Sequence, residues 1–301
     1  MNWKHAIKDY QYYLRLERGL SENSIASYTL DVEKLVDFVS QWEHAPGPVE
    51  IEEETIQQFI YHLSKQVSAQ SQARVISGLR SFFSYLIFEE YRSENPMDLI
   101  ESPRTTRKLP DTLSTAEIDR LIEAIDLSQP EGERNRAIIE TLYSCGLRVS
   151  ELVNLRISDL FFDEGFIRVT GKGNKQRFVP ISPTTVKYIN LYKEQVRIAM
   201  PIKKNAEDIL FLNRRGTQLT RAMIFTLIKR LAQTAGLEKK VSPHTFRHSF
   251  ATHLLENGAD LRAIQQMLGH ESITTTEIYV HTDRSHLKKI MENYHPRRSH
   301  N

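Results

Sequence analysis

The run Pro103-Arg104-Thr105-Thr106-Arg107-Lys108-Leu109-Pro110 constrains this chain more than any other segment. Proline lacks the amide hydrogen that a helix interior needs and pushes its predecessor toward extended backbone, so prolines at both ends hold the stretch extended. Asn95-Pro96 stops whatever helix precedes it. The chain therefore divides into a domain over residues 1–95, a linker over 96–110 and a second domain over 111–301. A length of 301 residues agrees, because one core usually organises only about 100–200 residues.

On either side of the linker the apolar residues recur mainly at helical spacing. The first domain reads as four helices: one ahead of Gly19, one opened by Ser21 and carrying Ile25, Tyr28, Leu35 and Phe38, one from Glu52 to Leu63, and one from Ala73 to Phe88. In the second, Ser114 and Glu117 form a capping box, and a helix from Asn135 to Cys145 ends at Gly146. Further helices are predicted at about 183–199, 220–235, 243–257, 260–268 and 283–293. One interruption stands out. Phe166–Val169 and Arg177–Ile181 alternate like strands around Gly171-Lys172-Gly173-Asn174-Lys175, a turn whose glycines permit positive φ. The predicted fold is mainly α: a four-helix N-terminal domain, then an α-rich domain with a small antiparallel hairpin.

Charge narrows the function. The net charge is +2, yet residues 1–100 carry nine basic and 15 acidic side chains whereas residues 101–301 carry 31 and 23. A basic second domain behind a linker holding Arg104, Arg107 and Lys108 suits a polyanion, and an extended basic strap suits a protein that encircles DNA. The single Cys145 excludes an internal disulfide and a multi-cysteine zinc site. No apolar run approaches the roughly 18 residues of a membrane span, and Met1-Asn2-Trp3-Lys4-His5 has no apolar signal stretch, so a cytoplasmic location is expected.

Eight of the 11 histidines fall in the last sixty residues, beginning with Ser242-Pro243-His244-Thr245-Phe246-Arg247-His248. Ser242 caps and Pro243 opens a helix on which His244, Arg247 and His248 share one face while Phe246, Phe250 and Leu254 share the face toward the core. Cationic side chains near a helix N-terminus favour an anion, and a guanidinium matches the geometry of phosphate. A zinc site on His244 and His248 is the weaker reading: the glutamate of HExxH is missing, and Arg247 would stand beside the cation. The glycines around Lys172 do not form the GxxxxGK[ST] phosphate loop, and the strand runs into a second strand instead of a helix.

In chain order the motifs are Cys145-Gly146-Leu147-Arg148-Val149-Ser150-Glu151-Leu152, Gly171-Lys172-Gly173-Asn174-Lys175, His244-Thr245-Phe246-Arg247-His248, Leu268-Gly269-His270 and Thr275-Thr276-Glu277-Ile278-Tyr279. This order resembles the tyrosine recombinase (phage integrase) family, in particular its Xer subfamily, over nearly the whole chain. Gly19-Leu20-Ser21-Glu22-Asn23-Ser24 and the tail Tyr294-His295-Pro296-Arg297-Arg298 look more like the XerD branch than the XerC branch.

The resemblance places the family's catalytic set on Arg148, Lys172, His244, Arg247, His270 and Tyr279, each with the expected residue type. Cys145, Phe246 and Glu277 depart from the commoner residues. It implies a Tyr279 nucleophile that forms a 3′-phosphotyrosyl bond, Arg148 and Arg247 on the phosphate oxygens, His244 as base, His270 positioning a phosphate oxygen, and Lys172 protonating the departing 5′-oxygen. No cofactor and no metal is implied. Arg104, Arg107, Lys108, Lys175 and Arg177 are expected to contact DNA.

The partners implied are double-stranded DNA with a dif-like site, a second, XerC-like recombinase in a heterotetramer and an FtsK-like DNA translocase, in the resolution of chromosome dimers at cell division. The last helix, with Leu287, Ile290 and Met291 in a stripe, is expected by the same resemblance to dock on a neighbouring protomer. Alternatives are a mobile-element integrase or a single-protein Xer system, more distantly a DNA-binding protein without catalysis, and last a zinc hydrolase.

Overall fold

The computed structural model of the chain describes residues 1–104, 111–269 and 282–297. The chain forms two compact units, Met1–Lys108 and Leu109–Asn301. Arg107, Lys108, His270 and Tyr279 lie outside the described residues.

The first unit is built on helices α1 (Trp3–Leu16), α2 (Glu22–Val39), α3 (Glu53–Ser64) and α4 (Ala69–Phe88). Ser21 caps α2 as its sequence suggests, its hydroxyl accepting from the Ser24 amide. The last helix starts at Ala69, earlier than the apolar pattern indicates, because Ser68 caps it by accepting from the Ser71 amide at 3.3 Å. Tyr10, Leu35, Phe82 and Phe83 fill the core, with Tyr10 set edge-on to Phe82 at 5.3 Å between ring centroids. α2 is fixed to α4 by a bidentate pair: Arg74 donates to both oxygens of the buried Asp31 carboxylate, at 2.5 and 2.7 Å.

The second unit begins with α5 (Thr115–Glu123), whose capping box of Ser114 and Glu117 is present as expected. α6 (Gly132–Cys145) starts three residues before the expected Asn135 and is buried along nearly its whole length. After the short α7 (Val149–Val153) comes a three-stranded antiparallel sheet, β1 (Leu160–Phe161), β2 (Phe166–Thr170) and β3 (Gln176–Pro180), in the order β1-β2-β3. The β2–β3 hairpin matches the one expected from the sequence. β1 has no counterpart there, since two residues carry no alternation to detect.

α8 (Pro183–Leu191) does not continue as an α-helix to residue 199; it widens into a π-turn over Tyr192–Val196. Tyr192 and Arg197 thereby reach the segment 206–212: the Tyr192 hydroxyl accepts from the Leu212 amide at 3.2 Å, and Arg197 donates to the Glu207 carbonyl at 2.6 Å. Then follow α9 (Arg221–Thr234), α10 (Pro243–Glu256), α11 (Leu261–Leu268) and α12 (Thr282–Tyr294).

Phe246 and Phe250 of α10 are fully buried, as the face assignment requires. The apolar stripe of α12 is covered within its own unit: Leu287, Ile290 and Met291 join Phe250, Leu254 and Met267 in one cluster. In the single chain the surface that covers the stripe is formed by α10 and α11. Among the described residues no helix is long and apolar enough to cross a membrane.

Candidate active site

Two helices in the second unit end in the same way. α6 stops at Gly146 and α11 stops at Gly269, both left-handed with φ of 56° and 67°. That conformation costs an ordinary L-residue roughly 1–2 kcal/mol. Space opposes a side chain as well: a Cβ on Gly146 would clash with the Phe250 ring at 2.5 Å, and one on Gly269 would press on Arg177 Cδ at 3.1 Å. Each glycine leaves a helix-terminal carbonyl facing an arginine. Arg247 Nη1 donates to the Gly146 oxygen at 2.9 Å, and Arg148 Nη2 donates to the Gly269 oxygen at 3.2 Å. Arg247 Nη2 also reaches the Leu268 carbonyl, at 2.6 Å. Sequence positions 148 and 247 are thus drawn to one spot by carbonyls whose orientation depends on glycine.

Between the arginines and the sheet lies Glu151, with its side chain only 1% exposed. Its Oε2 accepts from the Arg148 amide at 2.8 Å and its Oε1 from Arg148 Nη1 at 2.9 Å. Arg177, on β3, donates to the same two oxygens at 2.7 and 2.9 Å. Burial alone would raise the Glu151 carboxyl, but the hydrogen bonds and charge of Arg177, reinforced by Arg148, hold it below the usual range. Arg247 shows the reverse imbalance. Its pKa is lowered to about 10, first by burial and then by repulsion from Arg148, with Arg177 adding to it and Glu151 opposing. It stays protonated at neutral pH, in a cluster that among the described residues gathers three guanidiniums around one carboxylate. Such a site is short of negative charge, and an anion such as phosphate supplies it.

The remaining residues singled out in the sequence fall into three groups. His244 stands exposed on the first turn of α10, one turn before Arg247. Lys172 sits in the loop that joins β2 to β3, a tight connection closed by Gly171 N donating to Lys175 O at 2.8 Å; Lys175 itself is exposed. Arg104 is exposed at the end of the first unit. His270 and Tyr279 lie outside the described residues; α11 ends at Leu268, and the carbonyls of Leu268 and Gly269 accept from the two arginines.

Arg177, expected to contact DNA, is engaged by protein acceptors in this structure. Its side chain is 14% exposed, and besides Glu151 it donates through Nε to the Met267 carbonyl at 2.7 Å. These bonds tie β3 to α7 and to the end of α11. Glu151 is absent from the residues marked by the sequence, although the signal is available: it lies three residues after Arg148, the spacing at which an acidic side chain folds back on the residue that opens a helix. His253, on the same helix as Arg247, is a core histidine, its Nδ1 2.8 Å from the Tyr143 hydroxyl and its pKa lowered by burial.

Comparison with known proteins agrees with this geometry. Residues 111–286 match the model of the phage integrase family and residues 7–90 that of the phage integrase N-terminal SAM-like domain. A tyrosine recombinase XerD of Oceanobacillus iheyensis is 44% identical over 295 residues, covering 98% of this chain and 99% of that protein. The tyrosine recombinase XerD of Staphylococcus aureus is 42% identical over 293 residues, covering 97% and 98%. Among solved structures, the XerH site-specific recombinase bound to a palindromic difH substrate matches with a TM-score of 0.71 at 26% identity, over 95% of this chain and 83% of that one. With the family models spanning both units, the chain belongs to the phage integrase family of tyrosine recombinases, Xer type and similar to XerD, and is an enzyme of site-specific recombination that cuts and rejoins DNA strands.

Proposed function

We propose that this recombinase exchanges strands at a dif-like site in duplex DNA, in a heterotetramer with a second, XerC-like recombinase under an FtsK-like translocase, and so resolves chromosome dimers. The observation that carries the chemical part of the reading is the convergence of Arg148 and Arg247 on the end of α11. Each guanidinium has five N–H groups and gives two of its side-chain bonds to protein acceptors, so both keep donors for an incoming phosphate.

In this reading Tyr279 Oη attacks the scissile phosphorus. The bond to the 5′-oxygen breaks, and a 3′-phosphotyrosyl ester and a free 5′-hydroxyl result. Because the ester conserves the energy of the phosphodiester, attack by a 5′-hydroxyl of another strand reverses the step and exchanges strands without an external energy source. Arg148 and Arg247 take the charge that develops on the non-bridging oxygens, a task in which loss of one fixed donor typically costs about 2.7–4 kcal/mol. His244 receives the phenol proton, His270 holds a phosphate oxygen, and Lys172 gives a proton to the 5′-oxygen. Residues 1–95 and 111–301, joined by the basic segment 96–110, act as two halves of a DNA clamp, with Arg104, Arg107, Lys108 and Lys175 on the backbone.

A nicked suicide duplex carrying a dif-like site tests this. Wild-type protein is expected to become covalently attached, with or without EDTA, while Tyr279→Phe binds the duplex and forms no adduct. An adduct with the Phe variant, or its loss with EDTA, overturns the assignment.

A further inference from the structure

Arg177 is built into the protein at a point where three elements of the site meet, and no step of the proposed reaction uses it. It lies on β3 directly across from Val169 of β2, one pair away from the loop that carries Lys172. Its two terminal nitrogens grip both oxygens of Glu151, and its Nε holds the Met267 carbonyl in the last turn of α11. A Cβ built on Gly171 would lie 3.5 Å from Glu151 Oε1 and 3.7 Å from Arg177 Nη1, so the entry to the loop also rests against this pair.

We infer that Arg177 is a positioning residue that sets Arg148 for catalysis by dividing the Glu151 carboxylate and pinning the end of α11. The physical basis is competition for acceptors. Glu151 is buried and ionised and needs partners for both oxygens. With Arg177 filling one side of the carboxylate, the Arg148 guanidinium contributes only Nη1 to it and turns Nη2 to the Gly269 carbonyl. Without Arg177, the full carboxylate faces Arg148, the nearest remaining cation, and a bidentate pair there is the favoured geometry. Arg148 is then neutralised and rotated away from the oxygens it has to meet. The Met267 contact acts on the same point from the other side, because Leu268 and Gly269, the next two residues, are the acceptors of Arg247 and Arg148.

Lysine does not replace this arginine. An ammonium offers no planar fork, so it does not span both Glu151 oxygens and the Met267 carbonyl together.

The inference rests on the assignment of Arg148 to the phosphate, and the test separates the two. Single-turnover adduct formation on the suicide duplex is measured at saturating protein, alongside the dissociation constant and its salt dependence, for wild type, Arg177→Lys, Arg177→Met and the double variant Glu151→Leu with Arg177→Met. Removing both members of the buried pair tends to spare stability, and it also removes the carboxylate that would capture Arg148, so the double variant separates that capture from a general loss of structure. Expected is a fall of about 10²-fold in the saturated rate for Arg177→Lys and Arg177→Met, the size seen for loss of one oriented donor, and a faster rate than theirs in the double variant, which has no carboxylate left to capture Arg148, with the dissociation constant and the salt slope unchanged. The defect is expected to be the same on a duplex with a 5′-bridging sulfur, since Arg148 serves the non-bridging oxygens. A normal saturated rate with weaker binding and a salt slope shallower by about 0.9 makes Arg177 a DNA-binding residue and overturns the inference. So does a double variant no faster than the Arg177 single variants, which shows that Glu151 does not capture Arg148, or rescue by sulfur, which moves its effect to the leaving group. Failure of wild type itself to form an adduct refutes the parent assignment instead.

Discussion

Arg247 Nη2 lies 2.6 Å from the carbonyl oxygen of Leu268, the last residue of α11. The chain that leads to His270 and Tyr279 therefore departs from a helix end held by a residue of the proposed catalytic set. The same arginine crosses to Gly146, next but one before Arg148, so one guanidinium gathers the ends of α6 and α11.

Arg247→Lys keeps a positive charge on α10 but cannot donate to Gly146, Leu268 and a phosphate in one plane. Covalent adduct formation should fall by about 10²–10³-fold, while affinity for the duplex, read by gel shift, changes little. Near-normal cleavage by the lysine variant would show that charge alone suffices.

Lys172 on the β2–β3 loop is assigned to the leaving group, and sulfur chemistry reads that role out directly. A 5′-thiol has a pKa near 8.5, far below that of an alcohol, so its thiolate departs without a proton donor. Lys172→Ala should be slowed about 10²–10⁴-fold on ordinary DNA and cleave the 5′-bridging phosphorothioate at close to the wild-type rate. Arg247→Ala should be slow on both, and an equal defect of Lys172→Ala on both substrates would reassign the lysine to phosphate binding.

The segment between the units carries Arg104, exposed, with Arg107 and Lys108 beyond it in sequence. Replacing all three by Ala should reduce the slope of log affinity against log salt by about 0.9 for each DNA phosphate that is no longer neutralised. Binding to dif-like and unrelated duplexes should weaken alike, because interactions with the backbone carry no base information. An unchanged slope would mean that these side chains face solvent in the complex.

His295, just past α12, is buried against Tyr143 and Phe250, and burial lowers its pKa to about 3. An unfolded histidine titrates near 6.5. Between those values the unfolded chain binds the additional proton, so the contribution of His295 is complete above about pH 6.5 and is lost as pH falls toward 3, by at most ~1.4 kcal/mol per pH unit. Glu140, raised by burial, slopes the other way and is present in both proteins when wild type is compared with His295→Gln. The variant should be less stable at pH 7 because ring packing is lost, and the gap in urea midpoint should narrow by pH 5. A gap that stays constant would mean that His295 is solvated in the folded protein.

The helices, their caps and the hairpin are legible in the sequence because their causes are local. Ser21, Ser114 and Ser242 each bond to an amide three residues on, and Gly146 and Gly269 end helices by adopting a backbone that other residues resist. Motif order likewise marks Arg148 and Arg247 without reference to any neighbour in space. What the sequence does not determine is how those residues are held. Arg177 and Glu151 are 26 positions apart, and Arg177 and Met267 are 90 apart. Nothing in local periodicity distinguishes a scaffolding arginine from one facing DNA, since both appear as a basic residue beside a glycine-rich turn. Burial makes the distinction: once Glu151 is enclosed as an anion, it needs donors nearby, and tertiary packing decides that Arg177 is one of them. The placement of α12 has the same origin. Its apolar stripe shows only that some surface must cover it, and the α10 and α11 faces of its own unit are the surface that does.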